Sequence, residues 1–137
     1  MYKHILVPMA LDHGIADLTM QIASALLADG GQITALHVHE APNNSVSAYV
    51  DESVMKSAFI EAEAEMNARA AAMDGVNAVT VQGHSGRTII DMATELNADC
   101  IVLGSHKPGL IDYFLGSTAT RVVQHAQCAV HVARDPA

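Results

Sequence analysis

Short, continuous apolar runs alternating with segments of helical periodicity predict an α/β protein. The expected form is one domain, residues 1–137, built on a five-stranded parallel sheet with helices on both faces. Three observations carry this. The apolar runs, such as His4-Ile-Leu-Val-Pro-Met-Ala10, are unbroken rather than alternating, the pattern of strands covered on both faces. A helical segment separates each strand from the next, and such crossovers join parallel neighbours. Finally, 50% of the residues are hydrophobic but only 4% aromatic, with no Trp. Such a core of Ala, Val, Leu, Ile and Met suits helices packed on a sheet.

In chain order, the first strand is expected over 4–10, with Pro8 near its exit, where a missing N–H does least harm. Leu11-Asp12-His13-Gly14 reads as a turn. Ile15, Leu18, Ile22, Ala25 and Leu26 then recur at helical spacing until Asp29-Gly30-Gly31 ends the helix. A second strand follows over Gln32 to His39, and an exposed loop over Glu40 to Val50, marked by Pro42-Asn43-Asn44-Ser45. A long helix is predicted from Glu52 to Met73. Its Glu61, Glu63 and Glu65 fan around the axis, so they read as a solvated face rather than a metal site.

Val76 to Val81 is the third strand. Gly83-His84-Ser85-Gly86 leads into a helix bearing Ile89, Ile90, Ala93 and Leu96 on one side. Cys100 to Leu103 is the fourth strand. A glycine-bearing loop leads to a helix over Ser117 to Ala126, and a last strand runs from Cys128 to Ala133.

Charge and composition exclude several partners. The net charge is −8 and the seven Lys and Arg are scattered, so neither nucleic acid nor an anionic membrane has an electrostatic footprint. No apolar run reaches the roughly 20 residues of a bilayer span, and the N-terminal run is short for a signal peptide. The expected location is cytoplasmic, with Cys100 and Cys128 as reduced core thiols.

The stretch from Cys100 to Ala119 organises the functional reading. An apolar strand stops at Gly104, a Gly- and Pro-bearing loop follows, and Gly116-Ser117-Thr118 opens a helix. Backbone N–H groups at such a helix start can face an anion, with Ser117 or Thr118 adding a hydroxyl. On spacing alone, a plain strand–loop–helix connection with Ser117 as an ordinary N-cap stands level with that reading. The fold rule shifts the balance. If strand 1 sits centrally, the crevice beyond the strand ends lies between strands 1 and 4, where this loop emerges.

Several known chemistries lack their motifs. Pro8-Met-Ala-Leu-Asp-His-Gly14 is not G-x-G-x-x-G, and neither a P-loop nor a G-x-S-x-G elbow occurs. Among eight histidines, His37 and His39 share a strand face but lack a third ligand at a telling spacing, so no metal site is assigned. His106 and Lys107, inside the loop, could meet a phosphate or simply face water, and Asp12 could meet a ribose or turn the chain. Arg121 reads as a solvated or interface residue. No nucleophile–base pair is recognisable, so no catalytic residue is assigned.

The segments His4-Ile-Leu-Val-Pro8, Ala35-Leu-His-Val38, Asp99-Cys-Ile-Val-Leu-Gly-Ser-His106 and Leu115-Gly-Ser-Thr-Ala-Thr-Arg-Val-Val-Gln-His-Ala-Gln-Cys-Ala-Val130 carry a likeness. The chain resembles the universal stress protein family along its whole length. The resemblance implies a Rossmann-like fold of the adenine nucleotide alpha hydrolase type, with the expected strand order 3-2-1-4-5, and a cytoplasmic stress-response switch or sensor binding ATP or AMP, with or without Mg. Any chemistry would be weak ATP hydrolysis or autophosphorylation. It also implies a homodimer, here through the last strand, Cys128 to Ala133, as an exposed apolar edge invites.

The family's ATP-binding branch carries G-x-x-G, nine residues, then G-S/T. Gly104 and Gly116-Ser117 match; Lys107 stands at the second glycine, with eight residues between it and Gly116. Gly109 serves as a shifted glycine, and the chain looks like a short-loop subgroup in which ATP binding is still expected. At strand 1 the family's Val-Pro-x-Asp reads Val7-Pro8-Met9-Ala10. By resemblance, Pro8, Met9, Ala10 and Val38 flank adenine and ribose. Leu103, Gly104, His106, Lys107 and Gly109 wrap sugar and phosphates, and Gly116, Ser117, Thr118 and Ala119 supply helix-terminal donors. The alternative is a dimeric interaction protein of the same family with a vestigial crevice, favoured by Ala10 and the shortened loop.

Overall fold

In the computed structural model the chain follows the order β1 (Tyr2–Pro8), α1 (Ala16–Leu26), β2 (Leu27–His39), α2 (Glu52–Ala71), β3 (Val76–Gln82), α3 (Ser85–Glu95), β4 (Cys100–Ser105), α4 (Ser117–His125) and β5 (Ala129–Arg134). The structure describes residues 1–11, 16–40, 49, 51–105 and 115–134. The turn expected at 12–14, most of the loop expected over 40–50, and the loop residues His106, Lys107 and Gly109 lie outside them.

All strand pairs are parallel, and the sheet order is β3-β2-β1-β4-β5, as expected from the sequence. The unbroken apolar runs divide residue by residue between two layers, because successive side chains of a strand point to opposite faces. Ile5, Val7, Ile33, Ala35, Cys100 and Val102 pack with Met20 and Ala23 of α1 and Met66 of α2. Leu6, Leu36, Ile101 and Leu103 pack on the other face with Ile89 and Ala93 of α3 and Ala119 and Val122 of α4. That division explains why these strands could not show a period of two: both faces are core.

Several boundaries moved. Pairing of β2 begins at Leu27, opposite Tyr2, and then skips through Asp29-Gly30-Gly31 before resuming at Gln32 opposite His4. Gly30 takes a φ of +76°, a conformation glycine adopts at little cost, so the predicted helix terminator acts as an irregularity within the strand. α2 ends at Ala71, short of the expected Met73, and β5 spans Ala129–Arg134 rather than 128–133. Asp51 caps α2 by accepting from the Ser53 N–H at 3.2 Å. Glu61, Glu63 and Glu65 are all exposed, and Glu65 pairs with Arg69 one turn on, at 3.1 Å.

Two polar fixtures tie the N-terminal ends of the central strands together. The Asp99 carboxylate accepts from the backbone N–H groups of Lys3 (2.9 Å) and His4 (3.0 Å). Those bonds hold its pKa below the ordinary Asp value, the Lys3 N–H contributing most. Buried His4 donates from Nδ1 to the Leu96 carbonyl at 3.0 Å, and its Nε2 lies 2.8 Å from Thr34 Oγ1. Each polar group taken from water here is therefore matched.

Candidate functional site

The crevice begins where the ladder between β1 and β4 stops. These strands pair only at Ile5–Cys100 and Leu6–Ile101. Their outer partners continue, β1–β2 to Pro8–Leu36 and β4–β5 to Ser105–Arg134. From this split the chain leaves β1 toward one face and β4 toward the other, which opens a cleft of about 570 Å³ beyond the strand ends. That volume falls in the range of small-molecule sites.

One wall is the amino terminus of α4. Gly116, not Ser117, occupies the N-cap, and no side chain caps the helix. Thr120 N–H already returns to the Gly116 carbonyl at 2.9 Å, whereas the N–H groups of Ser117, Thr118 and Ala119 precede the first intrahelical bond. These three donors, at the positive end of the helix dipole, border the cleft. Gly116 holds φ +89° and ψ 146°, backbone that other residues adopt only under strain. Below it, the Ser105 hydroxyl donates to the Leu115 carbonyl, clipping the end of β4 to the approach of α4. A Cβ at Gly116 would sit 4.0 Å from Ser105 Oγ, so the backbone angle, not crowding, demands glycine.

The floor is fixed by Met9. Its N–H donates to the Leu36 carbonyl at 2.8 Å, and its carbonyl accepts from His37 Nδ1 at 3.0 Å. Both backbone groups of the residue after β1 are thus held, which sets Pro8, Met9 and Ala10 along the cleft. The His39 ring meets Phe59 of α2 edge-on at 5.8 Å. The hydrogen bond gives His37 a structural partner and the ring contact gives His39 one, and the described residues hold no group of three or more metal-ligating side chains.

The wall opposite α4 is acidic. Glu40 Oε1 accepts from both the Ser85 N–H (3.0 Å) and the Ser85 hydroxyl (2.8 Å), so this carboxylate caps α3 from another strand. The Ser85 bonds, with a smaller contribution from His84, hold the Glu40 pKa below the usual Glu value, against the opposing effect of burial.

Of the residues singled out from the sequence, Pro8, Met9, Ala10, Val38, Leu103, Gly104, Gly116, Ser117, Thr118 and Ala119 all line this one cleft. His106, Lys107, Gly109 and Asp12 lie outside the described residues. Sequence reasoning missed Glu40, Ser85, Ile89 and the Ser105 clip. The signal for Glu40 was latent in the strand order. Once β2 and β3 are neighbours paired to His39–Gln82, the residue after His39 must lie beside the 83–85 turn.

The universal stress protein family model matches residues 1–134. The chain belongs to the universal stress protein family. Universal stress protein G of Salmonella typhimurium is 30% identical over 144 residues, spanning 98% of this chain and 100% of that one. Among solved structures, universal stress protein UspA from Lactobacillus plantarum superposes with a TM-score of 0.76 at 26% identity, covering 97% and 98% of the two chains. The universal stress protein from Archaeoglobus fulgidus, solved in complex with dAMP, superposes with a TM-score of 0.61 at 19% identity, covering 96% and 97%. At that identity the last likeness concerns the fold alone.

Proposed function

We propose that this universal stress protein binds an adenine nucleotide, ATP or AMP, in the cleft and works as a nucleotide-occupied switch or sensor in a cytoplasmic stress response. The observation that carries the reading is the uncapped amino terminus of α4 opening onto the crevice at the split of β1 and β4. Three backbone donors without intrahelical partners, approached through a glycine, fit a phosphate group. Gly104 and Leu103 would border the phosphates and sugar, with His106, Lys107 and Gly109 completing the wrap. Pro8, Met9, Ala10 and Val38 would meet the nucleoside. The dAMP complex of the Archaeoglobus fulgidus relative supports this chemical class. ATP would bring its own Mg, since no protein ligand set is assigned. Hydrolysis or autophosphorylation would be slow, because no general base faces the α4 donors among the described residues.

The test is direct. Protein purified under native conditions is denatured, the supernatant is assayed for adenine nucleotide, and stripped protein is titrated with ATP and Mg by calorimetry. Released nucleotide or stoichiometric binding supports the reading; neither would sink it and leave the second one, a dimeric interaction protein with a vestigial crevice. Ala10, standing where the family commonly carries Asp, favours that second reading.

Self-association belongs to both readings. β5 closes one edge of the sheet, and Val130 and Val132 on it remain half-buried, so a second copy could pair along it. Light scattering at micromolar concentration is expected to give a dimer mass, and a monomer mass would refute it.

A further inference from the structure

The cleft is electrically lopsided. The uncapped amino terminus of α4 forms one end, and the amino terminus of α3, whose Ser85 N–H the Glu40 carboxylate already occupies, forms the other, two strands away at the exit of β2. At the usual strand spacing that is about 10 Å across the sheet. A bound nucleotide must therefore lie one way round. Its phosphate is drawn to α4 and repelled by Glu40, so the part farthest from the phosphate faces the carboxylate. In a nucleotide that part is the base; the ribose, bonded next to the phosphate, stays on the α4 side. Ala10, Val38 and Ile89 line the space between and suit a flat apolar ring.

Glu40 is built for a fixed orientation. Both Ser85 bonds fall on Oε1, and Oε2 has no hydrogen-bond partner among the described residues. The carboxylate is thus anchored through one oxygen and has acceptor capacity left on the other. We propose that Glu40 is a specificity-determining residue: it accepts a hydrogen bond from the exocyclic amine of the bound base and selects adenine over a purine bearing a carbonyl there. An ionised acceptor facing a carbonyl oxygen leaves two lone-pair groups opposed, which is the source of the discrimination. The inference rests on the nucleotide reading above. A residue that merely caps α3 would show no such preference.

The experiment compares AMP, IMP and 2′-deoxy-AMP on wild type and on Glu40→Gln by calorimetry, with thermal melting as the fold check. The Gln side chain keeps an oxygen for Ser85 and turns its amide donor toward the base. Wild type is expected to bind AMP about tenfold or more tightly than IMP, the scale of a hydrogen bond to a charged group. Glu40→Gln is expected to level or reverse that ratio. Wild type binding AMP and IMP alike would overturn the inference without help from any variant, while leaving the nucleotide reading intact. So would a Glu40→Gln ratio unchanged from wild type. A loss in Glu40→Gln that tracks the 2′-hydroxyl rather than the amine would reassign Glu40 to the ribose and overturn the claim about the base. Wild type binding none of the three would overturn the nucleotide reading itself.

Discussion

Asp99 and Gly116 show how single residues set this structure. Asp99 satisfies two backbone donors at the start of β1, and Asn offers only one acceptor oxygen to them. Asp99→Asn should therefore cost about 1–2 kcal/mol in a denaturant titration at neutral pH. The pH dependence has a definite sign. Both Asp99 and Glu40 are held below their ordinary values in the folded protein, so each contributes stability that is present above its unfolded pKa and lost as pH falls through the folded one. Melting temperature should thus fall on acidification through and below the ordinary carboxylate range, and less steeply in Asp99→Asn. Gly116→Ala should destabilise by about 1–3 kcal/mol, from backbone strain rather than overlap, and should weaken nucleotide binding by reshaping the α4 start. The cysteines define a third case. Burial is the main cause that pushes the Cys100 thiol up to about 11, and it raises Cys128 as well. In native protein at pH 8 a disulfide reagent should leave Cys100 unlabelled and react with partly exposed Cys128 only slowly, whereas both should label at once after denaturation.

Among the elements, α2 has the least apolar bias of face, and its contribution is concentrated in few residues. Ala62, Met66 and Ala70 are buried, while Val54 and Ile60 remain 58% and 63% exposed. Met66→Ala should cost about 2–5 kcal/mol, since a fully buried side chain leaves a cavity. Ile60→Ala should stay within about 0.5 kcal/mol, as at most surface positions. Equal effects at the two sites would mean that α2 packs by another face. α2 also reaches the chain beyond the carboxyl end of β1, because Arg69 donates to the Leu11 carbonyl at 2.8 Å and so tethers it. α3 and α4 meet through a small residue: a Cβ at Gly86 would fall 2.8 Å from Arg121 Cδ, so the arginine stem covers the glycine. That contact gives Arg121 a packing role between helices, where the sequence suggested a solvated or interface residue.

At the scale of the whole molecule, the cleft is a consequence of strand order. Only when β1 is central and β4 lies beside it do Pro8–Ala10 and Gly116–Ala119 border one space, although over 100 residues of chain separate them. Much of this was legible in the sequence, for physical reasons. Unbroken apolar runs require cover on both faces, helical crossovers require parallel strands, and a strand–glycine–helix passage marks a place where backbone can approach an anion. Those features are local, and one residue's neighbours along the chain suffice to reveal them. The residues missed are those whose role depends on partners far away in sequence. Glu40 reads as the first residue of a loop until β2 and β3 are side by side, and only then does it cap α3 and face the cleft. The Gly30 irregularity likewise reads as a helix stop until its strand finds Tyr2. By itself the sequence determined the layers and the glycine-opened helix start at one end of the cleft, and the family likeness added the strand order. The acidic end, and with it the polarity that a ligand must match, was decided only by tertiary structure, because hydrogen bonds between residues 45 positions apart leave no periodic trace in the chain.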